Sequence, residues 1–239
     1  MRIHFYLAVA LLACACSRPH EAAADSSPEP TPKAGPVAET PIPPPPPDNR
    51  PVLAVFGDSL SAGYGLPAGQ SYPDDLQKKL DADGYSWRVV NLGISGDTTE
   101  GGVSRIDSAT SLKPGIVIVE LGGNDGLRGM PLDATRANLD KMITAFQAAG
   151  AKVILAGMTL PPNYGADYIR NFEKIYKDLA SAHKITLIPF LLSDIVTKDL
   201  RYIQPDGLHP TAAGAEIVAG TVMRYLKPLL KQTSPAIAR

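Results

Sequence analysis

Five short apolar runs alternate with longer amphipathic stretches from Pro51 onward, and this alternation limits the possible folds more than any other feature. Most of the runs are continuous in Val, Ile and Leu, so both faces of each predicted strand would be buried. Such strands belong in a parallel sheet that helices cover on each side. The predicted strands are Val52–Phe56, Arg88–Leu92, Ile116–Leu121, Lys152–Ala156 and Ile185–Ile188.

The stretches between these strands predict the helices of the two outer layers. Gly84 and Gly150 follow two of them, where a helix commonly ends in a left-handed residue. Because strand and helix alternate throughout, the sequence predicts a three-layer α/β/α domain with a five-stranded parallel sheet over residues 51–232. The predicted helices are Tyr72–Asp83, Thr99–Ser108, Ala134–Ala149, Tyr168–His183 and a last one after Pro210.

Residues 1–17 have a different composition and predict a signal peptide. One basic residue precedes an apolar run from Phe5 to Ala13, which is too short to span a bilayer and is typical of a secretory signal. The tripeptide "LLA" before Cys14 resembles the lipobox of bacterial lipoproteins, whose cysteine is diacylated. We therefore expect lipidation at Cys14. The alternatives are modification of Cys16, or cleavage of an unmodified signal at Ala13 or Ala15.

Residues 18–50 and 233–239 flank the domain and lack the apolar runs of a folded core. The first segment is rich in Pro, Ala, Glu and Ser and ends in "TPIPPPPPDNR", so we expect a disordered, extended and partly polyproline spacer. This spacer would either hold the domain away from a membrane or act as a neutral linker. We expect residues 233–239 to form a flexible tail.

Charge and cysteine content argue against several classes of partner and site. The net charge is −1 and the Lys and Arg residues are scattered, whereas phosphate binding requires clustered cations. A nucleic-acid partner is therefore not expected. Both cysteines of the chain lie within the first 17 residues, so the domain itself has no disulfide and no thiolate metal site. This composition is compatible with export to the periplasm.

A serine follows the first predicted strand in "VLAVFGDSLSAGYG", where Gly57 and Asp58 end the apolar run. On its own, this Ser59 is either a nucleophile at a strand end or an ordinary turn residue. Ser61 stands where the G-x-S-x-G elbow of α/β-hydrolases requires glycine, so that class is not indicated. In parallel α/β sheets the site lies at the carboxyl ends of the strands, so other polar residues at strand ends are the candidate partners of Ser59.

Of the four histidines, only His209 is placed to serve as a base. His4 and His20 fall in the leader and the spacer, and His183 is expected to end a helix, where imidazole interacts favourably with the helix dipole. His209 lies in "QPDGLHPTAAG", and Asp206 can fold back onto its ring and fix the tautomer. The alternative is a helix-entry turn with an incidental histidine.

Two further turns at strand ends carry possible oxyanion donors. Asn124 in "VELGGNDG" is a neutral amide on a glycine turn, and Gly96 in "NLGISGDTTEGG" can present a backbone N–H with no side chain in the way. The alternatives are an asparagine in a left-handed turn and a plain loop glycine before a helix that Asp97 or Thr98 caps. All these turns should meet at one edge of the sheet, and this coincidence favours a catalytic site.

The motifs "GDSLSAGYG", "NLGISGDTT", "LGGND" and "DGLHP" resemble the four blocks of the SGNH (GDSL) hydrolases in order and spacing. The resemblance runs from about Pro51 to Lys231, and "VELGGNDGLRG" and "LPPNYG" are most similar to the bacterial periplasmic thioesterase/lysophospholipase/arylesterase branch. It implies a flavodoxin-like sheet and an esterase site without metal or cofactor. By position it also implies roles for five residues: Ser59 as nucleophile and oxyanion donor, Gly96 and Asn124 as the other oxyanion donors, His209 as base, and Asp206 as the acid that orients it.

Loops after the third and fourth predicted strands supply the candidate acyl-binding residues, which would form an apolar groove or simply pack within their loops. These residues are Leu127, Met130, Tyr164 and Tyr168. The expected function is an exported serine esterase for aryl esters, acyl-CoA or lysophospholipid-type substrates. The alternatives are a carbohydrate O-acetylesterase of the cell envelope and a non-catalytic acyl-binding lipoprotein. We expect a monomer in the periplasm, held at the membrane by its lipid anchor.

Overall fold

The computed structural model describes residues 48–196 and 199–230. The predicted signal peptide, lipidation at Cys14, nearly all of the spacer and the C-terminal tail lie outside these residues, so they stay predictions. Within the described part, no helix is both long enough and apolar enough to cross a membrane.

Five parallel strands form one sheet in the order β2-β1-β3-β4-β5, as the sequence predicts. Their side chains are largely buried on both faces because helices cover the sheet on each side. The chain moves from β1 to β2 on one side and then returns to place β3 on the other side of β1. The strands are β1 Val52–Gly57, β2 Arg88–Asn91, β3 Ile116–Glu120, β4 Lys152–Ala156 and β5 Thr186–Ile188.

Helices form the outer layers of the domain. α2 packs against α9 on one side of the sheet, while α6 packs against both α3 and α7 on the other, which confirms the predicted α/β/α architecture. The α-helices of the described residues are α1 Ser59–Ala62, α2 Tyr72–Ala82, α3 Thr99–Ser104, α4 Ile106–Thr110, α5 Gly123–Leu127, α6 Leu132–Ala148, α7 Ala166–His183, α8 Ser193–Val196 and α9 Ala212–Leu226.

The predicted helix Thr99–Ser108 is two shorter helices, α3 and α4, because the chain leaves helical geometry at Arg105 (φ −117°, ψ 14°). The Arg105 guanidinium group binds the Asp97 carboxylate at 2.8 Å, the Leu92 carbonyl at 2.7 Å and the Gly57 carbonyl at 2.9 Å. These contacts fix the side chain across the ends of β1 and β2. The break therefore ties α3 and α4 to the edge of the sheet where the candidate site residues lie.

The reversal of strand order between β1 and β3 opens a crevice at the carboxyl ends of these two strands. Ser59 comes directly after β1, and Asn124 lies in α5, which follows β3. Parallel pairing sets Gly57 opposite Glu120 at the last position of both strands. The topology thus places two of the sequence motifs side by side, which their separation along the chain does not show.

Candidate active site

Ser59 begins α1, a helix of a single turn that starts right after β1. The Asp58 side chain caps this helix by accepting from the Leu60 backbone N–H at 3.1 Å. Gly63, in the left-handed region (φ 77°), ends it. The tight turn leaves Ser59 9% exposed, with its side chain at the floor of a cavity. The backbone N–H of Ser59 is at a helix N-terminus, where N–H groups lack partners within the helix.

Asp206, His209 and Ser59 form a continuous series of hydrogen bonds. His209 Nε2 lies 2.8 Å from Ser59 Oγ, and His209 Nδ1 lies 2.7 Å from Asp206 Oδ2. The other carboxylate oxygen, Oδ1, accepts from the backbone N–H groups of Leu208 and His209 at 2.9 and 3.0 Å. Since the Asp206 carboxylate accepts a hydrogen bond from Nδ1–H, Nε2 is left as an acceptor that faces the serine hydroxyl.

Hydrogen bonds stabilise the negative charge of the Asp206 carboxylate. Burial alone would raise the pKa of its carboxyl group, but the backbone N–H groups of His209 and Leu208 and the His209 ring together hold this pKa below its usual value. Gln204 fixes the loop further, because its side-chain amide donates to the carbonyls of Tyr64 and Pro210, both at 2.8 Å. The His209 loop is thereby tied to the segment that carries Ser59.

Tyr64 covers one face of the His209 ring. Its ring centroid is 4.6 Å from that of His209, with the two rings tilted by 39°. The tyrosine remains 52% exposed, so it lies between His209 and solvent. Its ring therefore restricts the His209 imidazole to orientations that keep Nε2 near Ser59.

Gly96 and Asn124 line the same cavity as Ser59. Gly96 has a positive φ of 80°, and its N–H makes no hydrogen bond to another described residue. The Asn124 amide donates to the Asp97 carbonyl at 2.9 Å and, over a longer 3.2 Å, to Asp58 Oδ2. Both donors of this amide thus have partners in the free protein, and the longer contact is the one that a substrate oxygen can replace.

The cavity has a volume of about 640 Å³ and is largely apolar. A pocket of this size is typical for a ligand of small-molecule dimensions. Asp58 is the acidic and His209 the basic side chain among its lining residues. The apolar walls include Tyr64, Leu127, Phe190, Leu192, Val196 and Leu208.

The predicted acyl-binding residues divide into two groups. Leu127 lines the cavity, whereas Met130 and Tyr164 are not among the lining residues. The Tyr164 hydroxyl donates to the Leu127 carbonyl at 2.7 Å, and that of Tyr168 donates to the Gly126 carbonyl at 3.4 Å. These two tyrosines therefore brace the turn that carries Leu127, which corresponds to the alternative of loop packing.

The sequence reasoning missed the wall contributed by the segment after β5. Phe190, Leu192 and Val196 follow that strand, and Leu208 directly precedes His209. Sites in parallel α/β sheets lie at the carboxyl ends of the strands, and this applies to β5 as well. The largely apolar segment "PFLLSDIV" after β5 could therefore have been predicted to line the site. His183, by contrast, lies where expected at the end of α7, with Nε2 2.6 Å from Asp140 Oδ1.

Comparison with known proteins agrees with this architecture. The family described as GDSL-like lipase/acylhydrolase matches residues 55–217. Esterase TesA of Pseudomonas aeruginosa is 45% identical over 179 residues, which cover 74% of this chain and 89% of that protein. An arylesterase of Vibrio mimicus is 41% identical over 179 residues, covering 73% and 89% of the two chains.

A third relative is the thioesterase 1/protease 1/lysophospholipase L1 of Escherichia coli K12, 37% identical over 183 residues that cover 76% of this chain and 86% of the relative. The crystal structure of TesA superimposes with a TM-score of 0.72 at 45% identity, covering 75% of this chain and 99% of that one. The chain therefore belongs to the GDSL-like lipase/acylhydrolases, the SGNH hydrolases, and is an enzyme that hydrolyses ester bonds.

Proposed function

We propose that the protein is an exported serine esterase that hydrolyses carboxylic esters or thioesters through a covalent acyl-Ser59 intermediate. The hydrogen-bonded series from Asp206 through His209 to Ser59 is the observation that carries this proposal. His209 Nε2 takes the hydroxyl proton as Ser59 Oγ attacks the substrate carbonyl. Asp206 holds the ring in the required tautomer and stabilises the imidazolium that forms.

We assign three donors, all from residues that line the cavity, to the position where negative charge develops on the carbonyl oxygen. They are the backbone N–H groups of Ser59 and Gly96 and the side-chain amide of Asn124. The Gly96 N–H makes no other bond within the described residues, so it needs no rearrangement to meet the oxyanion. Asn124 exchanges its longer bond to Asp58 for the substrate oxygen.

Collapse of the tetrahedral intermediate completes acyl transfer. His209 gives its proton to the departing alcohol, phenol or thiol, and the acyl group stays on Ser59 Oγ. Water then attacks the acyl carbon while His209 Nε2 removes its proton, and the same proton returns to Ser59 as the carboxylic acid leaves. A protonated His209 cannot accept the proton of Ser59 or of water, so neither acylation nor deacylation can begin. Activity is therefore expected to fall on acidification.

The apolar walls favour substrates with a hydrocarbon acyl group. The relatives carry the names esterase, arylesterase and thioesterase/lysophospholipase, and these names indicate the substrate types to test: aryl esters, acyl-CoA and lysophospholipids. A carbohydrate acetyl ester would leave most of this apolar surface without a partner. The intact hydrogen-bonded series also disfavours a purely acyl-binding role.

Export and membrane attachment rest on the sequence pattern of residues 1–17. We infer that Cys14 is lipidated in the periplasm and that residues 18–50 tether the enzyme. In cells given a radioactive fatty acid, Cys14→Ser should abolish labelling of the protein while Cys16→Ser retains it. Labelling that is lost only in Cys16→Ser would move the modified position to Cys16.

A fluorophosphonate probe tests the catalytic assignment. It should label Ser59, and neither the Ser59→Ala nor the His209→Ala protein should be labelled at that position. Both variants should lose most aryl-ester turnover. A Ser59→Ala enzyme with turnover near that of the wild type would overturn the proposal.

A further inference from the structure

Glu120 ends β3 directly beneath the serine turn and is 0% exposed. One of its carboxyl oxygens, Oε2, accepts three hydrogen bonds: from the backbone N–H groups of Asp58 and Ser61, each at 3.2 Å, and from Ser61 Oγ at 2.5 Å. Asp58 directly precedes Ser59, and Ser61 lies in the same helical turn as Ser59. The Glu120 carboxyl group therefore fixes the backbone on which Ser59 stands.

The Glu120 carboxyl group is tightly packed against Gly57 and Ser61. A Cβ atom at Gly57 would lie 2.3 Å from Glu120 Oε2 and 2.1 Å from Ser61 Oγ. Tyr72 Oη lies 2.9 Å from Ser61 Oγ, and because the serine proton goes to Glu120, the tyrosine donates. The side chains can therefore change partners only by moving the turn itself.

The second oxygen, Glu120 Oε1, is buried and accepts no hydrogen bond from any described donor. Asp58, whose backbone N–H binds the other oxygen of the same carboxyl group, is itself 3% exposed, so two buried carboxyl groups lie side by side. Two ionised carboxyl groups in such surroundings repel each other strongly, whereas one proton between them turns the repulsion into a hydrogen bond. Burial raises the pKa of Asp58 to about 6, although its hydrogen bonds, including the one with Glu120, act to lower it. Burial first, and then the charge of Asp58, raise the pKa of Glu120 well above its usual range.

We propose that Glu120 is a positioning residue that shares one proton, carried on Oε1, with the Asp58 carboxylate beneath Ser59, and that this proton keeps the Asn124 amide available to the oxyanion. The inference rests on the proposed roles of Ser59 and Asn124. Asp58 accepts from Asn124 over 3.2 Å. A single negative charge spread over the pair makes Asp58 a weak competitor for this amide, so the oxyanion displaces it.

Loss of the shared proton would reverse this balance. Two negative charges behind Ser59 would drive Asp58 away from Glu120 and strengthen its hold on the Asn124 donor. The turn that presents Ser59 would shift with it, since Asp58 also caps α1. The expected signature is a fall in kcat on the alkaline side, with KM little changed, because the amide contact with substrate forms only in the transition state.

Other titratable groups face the pair from each element packed around it. Tyr72 on α2 and Tyr176 on α7 both sense the Glu120 charge, and burial raises the pKa of each phenol well above its usual value, so both stay neutral. The His209 ring acts on Asp58 from the cavity side. The Arg105 guanidinium group binds the Gly57 carbonyl and Asp97 rather than either member of the pair.

The test is the pH profile of kcat for Glu120→Gln. The amide places a permanent N–H toward Asp58 and keeps an oxygen for the three donors, so at neutral pH kcat should stay within about 10-fold of the wild type. The alkaline fall of the wild-type enzyme should be absent or moved to higher pH. Infrared difference spectra of wild type against variant should show a protonated carboxyl band at neutral pH.

Asp125→Asn is the matched control, because Asp125 is also a buried carboxyl group in this region but binds Thr99 instead of Asp58. Its alkaline limb should coincide with that of the wild type. A folded Glu120→Gln enzyme that loses more than about 100-fold in kcat would show that the ionised carboxylate is required. An unchanged alkaline limb would equally overturn the proposal. Both outcomes are distinct from active Ser59→Ala, which would instead overturn the proposed mechanism.

Discussion

Asp206→Asn should remove the base from Ser59 without disturbing the fold. Oδ1 of Asp206 accepts two backbone N–H groups, so in the variant the amide oxygen must occupy that position. The amide nitrogen then faces His209 Nδ1 and donates to it. The ring is forced to carry its proton on Nε2, which points at Ser59 Oγ, and it can no longer accept the serine proton.

The size of this effect follows from the mechanism. The equivalent change in a Ser-His-Asp triad lowers kcat by about 10⁴, which corresponds to about 5 kcal/mol in the barrier. Stability should change far less. The Asp206 pKa is lowered in the folded state, so its charge stabilises the protein above the usual carboxyl range and this contribution is lost on acidification. The side chain is 35% exposed, which limits the contribution to less than about 1 kcal/mol.

The assay compares kcat for an aryl ester and the urea unfolding free energy at neutral pH. Asp140→Asn is the control, because Asp140 forms a similar contact with His183 at 2.6 Å, outside the cavity. This control should retain wild-type kcat. An Asp206→Asn enzyme whose kcat lies within about 10-fold of the wild type would refute the tautomer argument.

Three further outcomes follow from the geometry. Gly57→Ala should destabilise the protein by about 3 kcal/mol or more in urea unfolding, because its Cβ would overlap Ser61 and Glu120. Gly150→Ala, at φ 86° in open space, should lose only about 1–2 kcal/mol, and equal losses would contradict the packing argument. Ser61→Ala should move the alkaline limb of kcat to higher pH, since the serine hydroxyl lowers the Glu120 pKa, and a shift to lower pH would contradict the account. Val196→Asp should raise KM for medium-chain aryl esters by about 10-fold while acetyl esters are unaffected, and an equal effect on both would remove Val196 from the acyl wall.

The layers of the fold and the strand ends that carry polar turns were predictable, because continuous apolar runs and glycine turns are local signals. The single helix predicted over Thr99–Ser108 was wrong for a non-local reason. Arg105 leaves helical geometry and binds the ends of β1 and β2, and no sequence pattern within α3 and α4 predicts these contacts.

The site was predictable in its chemistry but not in its supports. Ser59, Asn124 and His209 come together because parallel strands end at one edge. Glu120 lies within the predicted strand Ile116–Leu121 and carried no signal of a role, because its position beneath the serine turn depends on the register that sets it opposite Gly57. The apolar residues after β5 follow a strand end and could have been named as candidates, but which of them face the cavity depends on loop conformation.

The mass of the Ser59 peptide after rapid acid quench of the enzyme with an aryl ester tests the covalent acyl-Ser59 intermediate directly. This peptide should gain the mass of the acyl group during turnover, and Ser59→Ala should yield no adduct and little product. Turnover without any acylated peptide, or an acyl group found on another residue, would contradict this mechanism.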